Sequence, residues 1–146
     1  MATGERTDPY ANFRFNVEFD SLITGGFSRV RGLGVEIETE EYEEGGVNAT
    51  THVMPRRFSY PNVTLERGLT DEDGFWEWIE RAKHGEAKRQ TVRIILLDST
   101  GEEARSWQLI EAYPVKWDGP ELTGDGGRVA VETIELAHEG LRRHGE

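Results

Sequence analysis

Apolar side chains recur at every second position in Phe13-Arg-Phe-Asn-Val-Glu-Phe19, with Phe13, Phe15, Val17 and Phe19 on one side and Arg14, Asn16 and Glu18 on the other. Only an extended chain puts residues i and i+2 on one face, so this is a strand with one buried and one wet face. The period returns in Val35, Ile37 and Thr39 against Glu36, Glu38 and Glu40. Three carboxylates then share one face of a strand, and such a face must meet water or cations. Between the two lies a short extended stretch, Phe27 to Arg31, closed by the bend of Arg31-Gly-Leu-Gly34. Val63 and Leu65 mark a further short strand, and Thr91 to Leu97, Arg105 to Tyr113 and Val129 to Leu136 supply three more. The turn Asp98-Ser-Thr-Gly101 ends on glycine and joins two of them as a hairpin.

One segment breaks the two-residue period. Thr70-Asp-Glu-Asp73 offers a capping hydroxyl and first-turn acids, while Arg81, Lys83, His84 and Gly85 suit a helix end. The predicted helix runs over about 71–84. Phe75, Trp78, Ile79 and Ala82 form its apolar stripe, which should lie on a sheet. Trp76 and Trp78 are read as packing rather than as a stacking platform for a ligand. The expectation is therefore a mainly β domain, sandwich-like or barrel-like, with one flanking α-helix. Residues 41–57 are predicted to be a long extended loop, because Glu43-Glu-Gly-Gly46, the polar run Asn48 to His52 and Pro55 interrupt any strand pattern.

The 146 residues fit a single domain, 1–146, without an internal repeat. Cysteine is absent, which removes disulfides, thiolate chemistry and Cys-based zinc sites. The N-terminus lacks a secretory h-region, and no apolar run reaches the ~18 residues of a membrane span, so synthesis in the cytoplasm is expected. Acids outnumber bases 28 to 17, for a net charge of −11, and only Lys83, Lys88 and Lys116 are lysines. That balance disfavours binding nucleic acid through its phosphates. It fits a soluble acidic surface, or one adapted to high salt, where self-repulsion is screened over ~3 Å at 1 M ionic strength.

Catalytic patterns find little material. His52, His84, His138 and His144 never stand at i, i+4 ligand spacing. Glu40, Glu41, Glu43 and Glu44 lack the order of a calcium loop, and no serine sits in a nucleophile elbow. Gly124-Asp-Gly-Gly127 lacks the Lys-Ser/Thr of a phosphate loop. No catalytic residue, metal or cofactor is assigned.

Five successive blocks carry a resemblance: DPYANFRFNVEFD at 8–20, GGFSRVRGLGVEIETEEYEEGG at 25–46, YPNVTLERGLTDEDGFWEWI at 60–79, IILLDSTGEEARSWQLIEAYPVKWDGPEL at 94–122 and VAVETIELAHEGL at 129–141. In order and content they resemble the tail-tube proteins of contractile phage tails and injection particles, a family similar in fold to the type VI secretion tube protein. The resemblance implies a non-enzymatic conduit: hexameric rings stacked into a hollow tube, with sheath, baseplate hub and tube-capping proteins as partners and cargo, protein or DNA, in the lumen. It implies assembly in the cytoplasm into a virion or released particle. Candidate lumen strands are 27–31, 35–42, 91–97 and 105–112, with Glu36, Glu38 and Glu40 facing the lumen. The arm at 41–57 resembles the family's loop that reaches the adjacent subunit and ring. Tyr42, Glu44, Gly45, Gly46, Pro55, Arg56 and Arg57 are its candidate contacts, the arginines as partners for another copy's carboxylates. Trp107, Pro114, Lys116 and Trp117 would fix the C-terminal hairpin, with Trp117 as a core anchor. Six copies at −11 make a ring of formal charge −66, so stacking should depend on salt. The rival readings are a secreted ring-forming carrier or effector of the type VI kind, and a small acidic β enzyme or ligand-binding protein.

Overall fold

The computed structural model describes residues 14–19, 22–24, 27–43, 51–69, 73–126 and 130–143. The strands are β1 (Arg14–Phe19), β2 (Leu22–Thr24), β3 (Phe27–Arg31), β4 (Glu36–Glu43), β5 (Thr51–Ser59), β6 (Val63–Gly68), β7 (Gln90–Leu97), β8 (Glu103–Asp118), β9 (Val131–Ala137) and β10 (Gly140–Arg143), with α1 (Gly74–Lys83) between β6 and β7. All but β4 and β5 join one eight-stranded antiparallel sheet in the order β2-β1-β7-β8-β9-β6-β3, with β10 also on β8.

That order forces the sheet to roll. Its two ends, β2 and β3, are consecutive in sequence, and Thr24 and Phe27 are only three peptide units apart, at most ~11 Å. The long strand β8 makes the corner. Trp107 and Leu109 pair with β7, Tyr113 and Trp117 pair with β9, and between them Glu111 has φ 53. A non-glycine residue there turns the strand sharply, which lets one strand serve both halves of the rolled sheet. The barrel-like, mainly β expectation thus holds.

Inward positions follow the alternation. Val17, Phe19, Phe27, Val63, Leu65, Val92, Ile94, Leu109, Ile134 and Leu136 form the core, and α1 closes it with Phe75 and Trp78. Phe19 stacks on Phe75 at 5.1 Å and on Trp78 at 5.4 Å, while Phe27 meets Phe75 edge-on. Ring pairs of this geometry add to the area they bury.

The helix is shorter than predicted. Asp73 stands at its N-cap without a side-chain capping bond; Thr70, the expected cap, lies outside the described residues. Its far end closes as expected on glycine. Gly85 has φ 71, Gly85 N–H donates to Ala82 O at 3.1 Å and Glu86 N–H to Arg81 O at 2.9 Å, a Schellman closure.

Candidate assembly surface

The segment expected as a loop at 41–57 is mostly strand: β5 pairs antiparallel with β4 as a separate two-stranded sheet. Pro55 misleads a sequence reading here, because proline is excluded from central strands but tolerated where a strand has an open edge. In this hairpin both outer edges are open among the described residues. The register slips once. Ile37 faces Phe58 and Thr39 faces Pro55, so Arg56 and Arg57 together stand opposite Glu38. Such a bulge adds one residue to a strand and increases its twist.

The bulge decides where the predicted charges go. Arg57 Nε donates to Glu38 Oε2, and Arg56 lies 3.7 Å from Glu40. Both arginines, expected to seek another copy's carboxylates, thus have partners within their own hairpin. All four side chains remain well exposed. Glu36 pairs across the strand with Ser59, and Tyr42 with His52. Glu44, Gly45 and Gly46 lie outside the described residues.

The other face of the hairpin is apolar and uncovered. Val35 is 55%, Ile37 56% and Phe58 63% exposed, and Met54 on the charged face is 50% exposed. An isolated two-stranded hairpin is marginal in water, since neither face is covered by a third layer.

Its root, by contrast, is tightly held. The arm leaves the body through Gly32–Val35 and re-enters through Tyr60–Asn62. Gly32 has φ 95, and a Cβ there would stand 2.1 Å from Asn62 O, so no other residue fits without moving the chain. Asn62 Nδ2 donates to Glu135 Oε2 at 2.8 Å. His138 places Nδ1 2.9 Å from Gly140 O and Nε2 3.2 Å from Pro61 O, and Tyr60 packs on its ring.

Toward the far end of β6 and β9 from the root sits a buried ion pair that sequence reasoning missed. Arg67 Nε donates to Glu132 Oε1 at 2.7 Å, with side chains 2% and 6% exposed. Glu132 Oε2 also accepts Trp117 Nε1–H at 3.1 Å, and the guanidinium lies 4.8 Å from the Phe75 ring centre. Together these groups tie β6, β8, β9 and α1. The signal was in the alternation: Val63, Leu65 and Arg67 share one face, as do Glu132, Ile134 and Leu136. Opposite charges at paired positions on two apolar faces predict a buried pair.

No group of three or more His, Asp or Glu residues able to hold a metal occurs among the described residues. None of their helices is long and apolar enough to cross a membrane.

The described residues thus form a rolled β body that carries an arm with an uncovered apolar face. Over residues 11–142 the sequence matches the family described as T4-like virus tail tube protein gp19. The chain belongs to that family and is a structural tube protein. Its fold is similar to a chain in the cryo-EM structure of the anti-feeding prophage cap, the AFP tube terminating cap, with TM-score 0.84 and 24% identity over 97% of this chain and 95% of that one. A chain of the PVC extracellular contractile injection system sheath-tube complex in the extended state gives TM-score 0.81 and 24% identity over 92% and 90%. Hcp1 from Flavobacterium johnsoniae gives 0.56 and 11% over 91% and 96%. A comparison with curated protein sequences finds no match.

Proposed function

We propose that copies of this chain close into hexameric rings that stack into the hollow inner tube of a contractile injection particle, released from the cell or part of a virion, without an active site. The observation that carries this reading is the arm, whose apolar face is exposed at Val35, Ile37 and Phe58 although its root is fixed. A face of this kind is stabilised by a neighbour that covers it. Among the described residues β3 pairs only with β6, which leaves a second unfinished edge, and an adjacent copy's strand would pair with it and remove the edge. In the ring, the arm's apolar face packs on the adjacent copy, with Tyr42, Glu44, Gly45, Gly46 and Pro55 contributing to subunit and ring contacts. Its charged face, with Glu36, Glu38 and Glu40, turns to the lumen. Arg56 and Arg57 temper that face, which leaves a wet lining with little hold on either nucleic acid or acidic protein cargo. Sheath, baseplate hub and capping proteins are the remaining partners.

Electron microscopy of the purified chain across a salt series tests this directly. Six-membered rings that stack more readily in molar salt are expected, because each ring carries strong like charge. A persistent monomer at every salt concentration would overturn the reading. Rings that never stack would move the chain from tube to cap.

A further inference from the structure

A cleft of about 270 Å³ separates the last turn of α1 from the segment that follows it, lined by Trp78, Arg81, Glu86, Lys88, Arg89 and Gln90. The Schellman closure at Gly85 creates it by folding residues 86–90 back beside Arg81. Three cations gather here on a chain of net charge −11. Neither Arg81 nor Lys88 makes an ion pair among the described residues, and Arg89 reaches Glu139 at 3.8 Å, the carbonyl of Glu111 and the face of Tyr113 at 5.4 Å. Trp78 is 1% exposed, and its indole N–H is a buried donor without an acceptor. An unmet buried donor costs free energy comparable to a lost hydrogen bond, and no described residue supplies its acceptor.

The arm carries an anion that suits these cations. Val35, just before β4, and Ile37, Thr39 and Glu41 on it alternate onto the face expected to lie on the adjacent copy. Glu41 is exposed and has no ion pair among the described residues. A carboxylate carried onto a docking face must find a cation there, or be desolvated at a cost. We infer that Glu41 at the outer part of one copy's arm docks in the Arg81–Lys88–Arg89 cleft of the adjacent copy, its carboxylate meeting the cations. This rests on the ring reading and adds the specific landing site of the arm.

Zero-length carbodiimide coupling of rings assembled from equal amounts of isotopically heavy and light chain tests the inference, because the reagent joins a lysine to a carboxylate in contact with it. Lys83, whose Nζ lies 2.7 Å from Glu80, gives the internal control within one chain. The expected product joins Lys88 of a light chain to the Glu41 peptide of a heavy one. In addition, Glu41→Lys should raise the concentration needed for assembly about tenfold, the equivalent of ~1.4 kcal/mol, and pairing it with Lys88→Glu should restore part of the loss. Rings visible by microscopy in which Lys88 couples only within its own chain, to residues outside the arm or to nothing would overturn the docking site while leaving the tube intact. Failure to form rings at all would overturn both.

Discussion

Two antiparallel strand pairs of this molecule each hold an Arg–Glu pair, yet they are built for different surroundings. In β6 and β9 the inward side chains Val63, Leu65, Ile134 and Leu136 are essentially inaccessible, and Arg67 and Glu132 are sealed among them. In β4 and β5 the arginine and glutamate side chains of the Arg57–Glu38 pair are 80% and 57% exposed, and Ile37 and Phe58 face solvent. The first pair completes a core within one chain. The second carries the geometry of a sheet without the layer that would stabilise it. Stability is therefore concentrated in the body, and among the described residues the arm has no covering layer from its own chain.

The contrast is sharpest for the two ion pairs. Removing one partner of a buried pair leaves a charge without compensation, so Arg67→Ala should cost about 3–5 kcal/mol and lower the melting temperature by roughly 10 °C or more. Arg57→Ala, at an exposed pair, should cost no more than ~1 kcal/mol. Calorimetry of the two variants in the same buffer checks the ratio, and equal losses would erase the distinction. Replacing Arg67 and Glu132 together by Met and Leu should recover most of the loss, since no charge is then stranded.

A second variant moves the comparison from folding to assembly. Changing Ile37 and Phe58 to serine should leave the isolated subunit within about 0.5 kcal/mol per site, the range of exposed positions. Assembly should need roughly ten- to a hundredfold more protein, because each apolar side chain buried by a neighbour is worth up to ~1.5–3 kcal/mol. Sedimentation across a concentration series separates the two quantities. A large drop in subunit stability with unchanged assembly would reverse the assignment.

The smallest effect belongs to the turn between β7 and β8. Asp98 Oδ1 accepts bonds from Thr100 Oγ1, Thr100 N–H and Glu102 N–H, and the Thr100 hydroxyl bond, followed by the Glu102 backbone bond, holds its carboxyl below the ordinary aspartate value. A depressed folded value means the contribution is present above the unfolded value and is lost as pH falls through the folded one. Asp98→Asn should lower the melting temperature by on the order of one or two degrees at pH 7, and the gap should close as pH is taken below ~3.9. A gap that widens in acid would contradict the cause.

Local periodicity made several elements legible. The alternation of Phe15, Val17 and Phe19 predicted β1, the bend at Gly32 appears as a positive φ, and Gly85 closes the helix. Pairing partners were not legible, because nothing local in Arg14 to Glu18 names Leu97 to Arg93 as the opposite strand. The corner at Glu111 was hidden for the same reason: a positive φ at a non-glycine is imposed by two sheet halves that must share β8. The hairpin at β5 was lost to Pro55 and a polar run, features that disqualify a core strand but not an open-edged arm. The tube family was readable because its sequence blocks survive in order across the chain, over residues 11–142. The cleft beside Trp78 was not, since its unmet donor exists only once the chain is folded.

Hydrogen exchange at the amides of β4 and β5, compared with those of β6 and β9 before and after ring formation, tests most directly whether the arm is completed by a neighbour. In the isolated subunit β6 and β9 should exchange slowly and the arm quickly, and assembly should slow the arm by orders of magnitude while leaving the core unchanged. An arm already as protected as the core in the monomer, or one that still exchanges quickly inside assembled tubes, would contradict this.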